Sequence, residues 1–268
     1  MFQNRLAFLG AFIIVTLIFM AIFAPYIAPF DPYEQNLKGG LTSPSKEHPL
    51  GQDRLGRDNL SRIIYGSRVS IFVAISVIGI SLLLGTFIGC VAGYNRGWID
   101  ELLMRVVDIL LAFPGILLAI AMTAVLGPSL KNIVLALCIT GWVGYARIVR
   151  GQILTVKERE YVVAAKALGA NPVRIIMHHI LPNILSPLIV EATFGMAGVI
   201  LAEASLSFLG LGTQPPTPSW GSMLNEGRQF LLVAPHMTTF PGLAIMIVVL
   251  GFNFLGDGLR DRLDVRKD

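Results

Sequence analysis

Charged residues are scarce in this chain of 268 residues: Asp, Glu, Lys and Arg make up 14%, whereas hydrophobic residues make up 54%. Soluble globular proteins carry about 25% charged residues, so the composition excludes an ordinary soluble protein. The net charge of +4 is small, and the basic residues lie in loops, which argues against nucleic-acid binding. The composition therefore predicts an all-α, polytopic protein of the lipid bilayer.

Cysteine and recognisable catalytic motifs are also scarce. Cys90 and Cys138 both lie in apolar runs without partners at metal-ligand spacing, so we interpret them as small core side chains. His178 and His179 are adjacent and would point to different helix faces, which excludes a two-histidine helical metal site. The sequence also lacks G-x-x-x-x-G-K-[ST], H-E-x-x-H and G-x-S-x-G. We expect no metal site and no catalytic residues, and ATP-driven work would need another polypeptide.

Six apolar runs approach the roughly 20 residues that a helix needs to cross a bilayer. The predicted spans are 6–24, 69–94, 102–126, 133–148, 184–211 and 238–255. The first run is longer than a signal-peptide core of about 7 to 15 residues, so we expect an uncleaved first helix. Pro114 should kink the third span. We divide the chain into residues 1–68, a membrane helix with an extracytoplasmic loop, and residues 69–268, a five-helix core.

One sequence pattern lies within the second predicted span and another lies just before it. Gly85, Gly89 and Gly93 recur every four residues, which favours a close contact with another helix. Just before the span, Asp58 suits an N-cap and Gly66 suits a helix end, so we expect a separate short helix at the membrane interface.

The longest polar segment, residues 158–182, lies between the fourth and fifth runs. If its first part is a helix, Tyr161, Ala164 or Ala165, and Leu168 fall on one face, while charged residues take other faces. The sequence therefore predicts an amphipathic helix outside the bilayer, with small residues that let another surface approach its backbone.

An elbow and a second helix should follow. Gly169 suits the left-handed position that ends a helix, and Asn171 suits an N-cap. Pro172 then falls at the first position of the second helix. That helix should end near Leu181, because Pro182 cannot continue it without losing a hydrogen bond.

This segment resembles the signature of permease subunits of binding-protein-dependent ABC importers, which reads E-A-A, three residues, G, nine residues, I, one residue, L-P. The resemblance implies that the segment docks into a cleft of a separate ATPase. Val163 stands where the family usually has Glu, and His179 where it usually has Ile, so docking here would depend more on shape. The residues that we expect to couple to the ATPase are Tyr161, Val163, Ala164, Ala165, Leu168, Gly169, Leu181 and Pro182.

Three further stretches narrow the resemblance to the dipeptide, oligopeptide and nickel permeases. GQDRLGRDNLSR resembles their G-T-D-x-x-G-R-D-x-x-S-R segment, with Gln52 in place of Thr, and GLGTQPPTPSWG and FNFLGDGLRDRLD are also similar. The resemblance covers essentially the whole chain and implies the second, C-type permease of a type I importer. It implies a homologous permease, two cytoplasmic ATPase subunits that hold ATP and Mg, and an extracytoplasmic binding protein as partners. Dipeptides or oligopeptides are the expected substrates; nickel chelates and other solutes remain alternatives.

The distribution of basic residues indicates an orientation. Of the 21 Lys and Arg residues, 13 lie on the side of the termini and of residues 158–182, and 8 lie on the other side. Cytoplasmic loops are enriched in Lys and Arg, so we expect a multi-pass protein of the bacterial inner membrane with both termini in the cytoplasm.

Ionisable residues within spans usually face a bundle interior or a water-filled cavity. Glu203 is the first candidate for a translocation path, and a buried hydrogen bond is its alternative. Asp108 is the second candidate, although an intrahelical pair with Arg105 is favoured for it. Glu191 and Asp257 are weaker candidates. A secondary transporter or channel remains an alternative to an ATP-driven importer, and an intramembrane enzyme is the least supported class.

Overall fold

A computed structural model describes residues 5–95 and 97–264. This part of the chain forms ten α-helices, joined by loops and short turns. In chain order they are α1 (Arg5–Ile27), α2 (Asn59–Asn95), α3 (Trp98–Leu111), α4 (Gly115–Leu126), α5 (Leu130–Val156), α6 (Glu160–Ala167), α7 (Pro172–Ile175), α8 (Leu181–Phe208), α9 (Trp220–Gly227) and α10 (His236–Asp264). One π-helical turn, Ile176–Ile180, joins α7 to α8.

Within the described residues, five helical stretches are long and apolar enough to cross a membrane: α1, α2, α5, the continuous helix Pro172–Phe208, and α10. Helices α3 and α4 form a bent pair with an angle of 82°, which makes a sixth span if the pair crosses together. The bend lies at Pro114, where ψ of 118° leaves the helical region and α4 begins anew. The predicted kink is therefore confirmed and is a complete break.

The predicted short helix before the second span is wrong, because α2 runs without interruption from Asn59. Its predicted start is confirmed, since the Asp58 carboxylate accepts the Ser61 N–H at 2.8 Å. Gly66 does not end the helix. A Cβ there would lie 2.8 Å from Trp220 Cδ1, and the Trp220 indole donates to the Ile63 carbonyl at 3.0 Å. Gly66 therefore makes room for an aromatic ring from the start of α9.

The glycine repeat of α2 packs closely against another helix, as the sequence predicts, and the structure identifies that helix as α5. A Cβ on Gly85 would lie 2.7 Å from the Trp142 carbonyl, and one on Gly89 would lie 2.7 Å from the Ala146 carbonyl. Such distances are too short for any side chain, so the two backbones touch. Helices α2 and α5 thus form the central pair of the bundle.

The first and last helices form a second close pair. A Cβ on Gly10 would lie 2.6 Å from the carbonyl of Gly251, and one on Gly251 would lie 2.6 Å from Ile13 Cγ2. This contact places the start of α1 and the end of α10 at the same end of the bundle.

A buried ionic cluster connects the loop before α2 to α9 at the opposite end. Arg57 pairs with Asp53 at 2.6 Å and with Glu226 at 2.7 Å, and Arg62 pairs with both carboxylates at 3.2 Å. The side chains of Asp53, Arg57 and Arg62 are at most 3% exposed. Arg57 thus pairs both with nearby Asp53 and with distant Glu226, which holds the loop before α2 to α9.

Neutralising Glu226 is expected to weaken this end of the fold. In Glu226→Gln the two arginines would lose a buried charge partner, and breaking such a pair costs about 3 kcal/mol or more. Thermal unfolding of the detergent-solubilised chain should therefore begin several degrees lower. Glu47→Gln, at an exposed position of the same loop, is the matched control and should leave the unfolding temperature unchanged. Equal stability of the two variants would contradict a structural role for the cluster.

Candidate functional site

The polar segment 158–182 is anchored to the central helix pair. Lys157, directly after α5, donates its ammonium to the Gly93 carbonyl of α2 at 2.6 Å. Helix α6 begins three residues later at Glu160. The segment therefore leaves the bundle where α2 and α5 end together.

The predicted elbow at Gly169 is confirmed in detail. Gly169 has φ of +84°, which only glycine adopts without strain. Its N–H donates to the Lys166 carbonyl at 3.0 Å, and the next N–H, of Ala170, donates to the Ala165 carbonyl at 3.1 Å. These two bonds form a Schellman motif, which satisfies the last carbonyls of α6. The elbow is thus a fixed angle rather than a loose loop.

The start of the second helix is also as predicted, whereas its end is not. The Asn171 side chain accepts the Arg174 N–H at 2.8 Å, and Pro172 occupies the first turn. Pro182 does not end the helix, which continues to Phe208. In the π-helical turn before it, the Leu181 N–H donates to the Ile176 carbonyl five residues back. This π-helical turn directly precedes Pro182, which lies in the first turn of α8, and the helix continues past it.

Helix α6 does not bury the apolar face that the sequence predicts. Val162 is the anchor, because it is only 4% exposed and packs in a core cluster with Ile175 and Ile180. Tyr161 and Leu168 remain exposed. Sequence periodicity missed Val162 because either of two adjacent valines could have faced inward, and only the position of the following helix selects one.

The elbow consequently presents an apolar surface to its surroundings. Leu168 is 89% exposed, Val173 is 68% exposed and Val163 is 52% exposed. Ala164 is exposed beside them, and Ala165 is partly buried. Exposed apolar clusters of this kind, on a rigid frame, are typical of protein–protein contact surfaces. The segment therefore has the form of a docking surface, which we call the elbow surface.

Asp108 does not form the predicted intrahelical pair with Arg105. It pairs with Arg147 of α5 at 2.9 Å. One face of α3 meets α5 twice, since Arg150 also binds both oxygens of Asp100 at 2.5 and 2.7 Å. Spacing within one helix could not reveal these partners, because they come from another span.

Glu203 is fully buried, and its carboxylate accepts the Ser207 hydroxyl at 2.7 Å. It lies where α9 approaches α8, since a Cβ on Gly221 would be 2.7 Å from Ala204 Cα. The structure therefore places Glu203 in an intrahelical hydrogen bond, and a role for it or for Asp108 in a translocation path stays a prediction.

A cavity of about 280 Å³ lies between α2, α5 and α8. Its polar lining comes from Ser81 of α2, Thr140 and Tyr145 of α5, and Glu191 of α8. Glu191, the weaker candidate by sequence, is therefore the carboxylate that borders open space. Its side chain is exposed, unlike that of Glu203.

A bundle of membrane-spanning helices with an open cavity between three of them and a rigid apolar elbow at one end defines a subunit of a membrane transport complex. The chain belongs to the binding-protein-dependent transport system inner membrane component family, whose sequence profile matches residues 85–268. A second profile, the N-terminal membrane domain of oligopeptide transport permease C, matches residues 1–44. The chain is thus a multi-pass inner-membrane permease subunit of an ABC importer, of the C type.

Its relatives carry names that agree with this assignment. A dipeptide transport system permease protein of Alkalihalophilus pseudofirmus is 50% identical over 262 residues, covering 98% of this chain and 86% of that protein. A dipeptide permease of Haemophilus influenzae is 44% identical over 268 residues, covering 98% and 91%. A glutathione transport system permease protein of Escherichia coli is 46% identical over 266 residues, covering 98% and 87%.

A solved structure of the inward-facing MetNI methionine ABC transporter has the same fold. It superposes with a TM-score of 0.62 at 18% identity, covering 75% of this chain and 95% of that one. At this identity the match concerns architecture alone, and it confirms the predicted type I importer permease fold.

Proposed function

We propose that this chain forms half of the pathway of an importer for dipeptides and other short peptides, together with a homologous permease. The peptide class is supported by the names of relatives in three bacteria, which transport dipeptides or the tripeptide-sized glutathione. A binding protein outside the membrane would deliver the peptide. Two cytoplasmic ATPase subunits would supply the ATP and Mg, because this sequence has no phosphate-binding loop motif of its own.

The elbow surface is the observation that carries the mechanism. Its frame is rigid on both sides, through the Schellman motif at Gly169 and the N-cap at Asn171. Closure of the ATPase dimer would displace this frame. Since α7 continues into α8 without a loop, the displacement would reach the membrane helix directly. The wall of the cavity formed by α8 would then move relative to α2 and α5.

The orientation follows from the same assignment. The elbow surface must face the cytoplasm to meet an ATPase, and the start of α1 packs against the end of α10. The majority of basic residues on that side supports a cytoplasmic location for the termini.

Leu168→Glu should prevent the permease from binding its ATPase. The side chain is 89% exposed, so a charge there would not disturb the fold, yet it would be costly to bury in an apolar contact. In proteoliposomes holding both permeases, the ATPases and the binding protein, we expect ATP-dependent dipeptide uptake to fall at least tenfold. The ATPase should also no longer copurify with the permease.

Leu232→Glu is the matched control, because Leu232 is 99% exposed in the loop between α9 and α10 and lies outside the elbow surface. It should leave both readouts unchanged. Uptake driven by an ion gradient without nucleotide would instead indicate a secondary transporter. Competition by a nickel chelate, but not by a second dipeptide, would contradict the peptide assignment.

A further inference from the structure

Two glycines on the walls of the cavity between α2, α5 and α8 are exposed. A Cβ added to Gly144 of α5 or to Gly198 of α8 would meet nothing within 4 Å. On the same walls, Gly141 and Gly195 have no such freedom, because their added Cβ atoms would touch Ser81 Oγ and Tyr145 Oη. The lining is therefore closely packed around Gly141 and Gly195, whereas the space beside Gly144 and Gly198 is open.

Glu191 lies within its predicted membrane span, 184–211, seven residues after the start of that span. It is 17 residues before the end of the helix at Phe208. Its side chain is exposed and borders the cavity. A charged side chain that faces lipid within a span is costly, so such residues face water-filled cavities or bundle interiors. No cation in the described part of the chain pairs with this carboxylate.

Ser81 provides a second polar group without a partner. Its residue is fully buried on the cavity wall, and its hydroxyl has no hydrogen-bond partner among the described residues. Buried hydroxyls are nearly always hydrogen-bonded, so an unpartnered one beside open space indicates a bonding position for a guest. Tyr145 and Glu191 line the same cavity. A carboxylate and two hydroxyls thus border one space.

This set of groups suits a primary ammonium. Glu191 supplies one negative charge, and hydroxyl oxygens accept hydrogen bonds from the remaining N–H groups. A divalent metal ion would require several oxygen, nitrogen or sulfur ligands at once, and the described residues contain no such cluster. The volume of about 280 Å³ is near the lower end of small-molecule sites, which span roughly 300 to 1,000 Å³.

We propose that the cavity receives the protonated amino group of the peptide in transit, with Glu191 as its counter-charge. The inference rests on the proposed peptide import, and it assigns selectivity to the permease in addition to the binding protein. Glu191 would favour cationic ends over neutral or anionic ones within the pathway itself.

The test measures the charge preference of the cavity directly. In the assembled complex with Cys90 and Cys138 replaced by alanine, Gly198→Cys places a thiol in the open part of the cavity. The probes are a cationic and an anionic methanethiosulfonate of similar size, with rates normalised to those for a free thiol. We expect the cationic reagent to react about tenfold faster, and Glu191→Gln to bring the ratio near one.

The matched control is Glu101→Gln, at an exposed carboxylate of α3 outside the cavity, which should leave the ratio unchanged. Gly144→Cys repeats the measurement from the α5 wall, should the first thiol variant assemble poorly. A ratio near one with Glu191 present, a ratio unaffected by Glu191→Gln, or the absence of labelling at both thiols would each overturn the proposal.

A second set of measurements, with peptides as competitors, identifies the ligand. Dialanine should slow labelling of the thiol, whereas N-acetyl-dialanine, which lacks the ammonium, should not; equal protection by both would contradict recognition of the amino group. ATP-dependent dipeptide uptake by the same complex is measured separately. Uptake without a charge preference overturns only the role of Glu191, whereas a charge preference without peptide uptake or protection overturns the proposed substrate class.

Discussion

Gly89→Leu is expected to reduce the amount of folded permease in the membrane at least tenfold. A Cβ at Gly89 would lie 2.7 Å from the Ala146 carbonyl and 2.7 Å from Val149 Cβ. Neither neighbour can yield without moving the α5 backbone, and the larger leucine would force the two central helices apart. Overpacking of a close interior costs about 1–3 kcal/mol even where side chains can adjust. Quantifying the tagged chain that elutes as a monodisperse species after solubilisation provides the measurement.

Gly79→Leu is the matched control on the same helix. A Cβ at Gly79 would meet nothing within 4 Å, so the same substitution should preserve the folded amount. A similar loss in both variants would mean that leucine harms α2 for reasons unrelated to its contact with α5. Full retention of Gly89→Leu would contradict direct backbone packing.

Gly169→Val is expected to abolish ATP-dependent uptake while leaving the chain folded in the membrane. The φ of +84° at this position is a genuine outlier for a β-branched residue, so valine would break the Schellman motif and change the angle of the elbow. Nothing lies within 4 Å of an added Cβ, which means that the effect would come from the backbone and not from a clash. Uptake in proteoliposomes and the membrane level of the tagged chain are the two readouts.

Two further variants separate backbone conformation from side-chain size. Gly169→Asn should restore part of the uptake, because asparagine tolerates the left-handed region. Gly151→Val places the same side chain at an exposed helical glycine of α5 with equally open surroundings, and it should transport normally. Normal uptake in Gly169→Val would refute the role of the elbow in coupling.

The elbow could be predicted from the sequence because its causes are local. Gly169, Asn171 and Pro172 each act on backbone groups within three or four residues, so their order along the chain already defines two helices and the angle between them. The repeat of Gly85, Gly89 and Gly93 likewise indicated a close contact, although the partner helix was known only from the structure.

Features that depend on distant residues were not predictable in the same way. Gly66 looked like a helix end and is instead a space for Trp220, which lies far along the chain. Asp108 had a neighbour at helical spacing and pairs instead with Arg147 of another span. In each case a tertiary contact decided between two locally acceptable conformations.

The cavity could not be predicted from the sequence, because it depends on how α2, α5 and α8 are rotated about their own axes. Residues that line one wall are recognisable as a stripe on α8, but the stripe alone does not reveal whether it meets lipid, protein or open space. Glu191 and Glu203 are both single carboxylates in one apolar span, and their surroundings differ only because α8 turns one toward α5 and the other toward α9.

The π-helical turn at Ile176–Ile180 sets the angular phase between the elbow and the cavity. A turn of this kind holds one residue more than an α-helical turn, and each residue rotates a helix by about 100°. Removing a single residue from it would leave every contact surface chemically intact, yet it would rotate Glu191 away from the cavity between α2, α5 and α8. A five-residue stretch with no ligand of its own therefore sets which face of α8 lines the cavity.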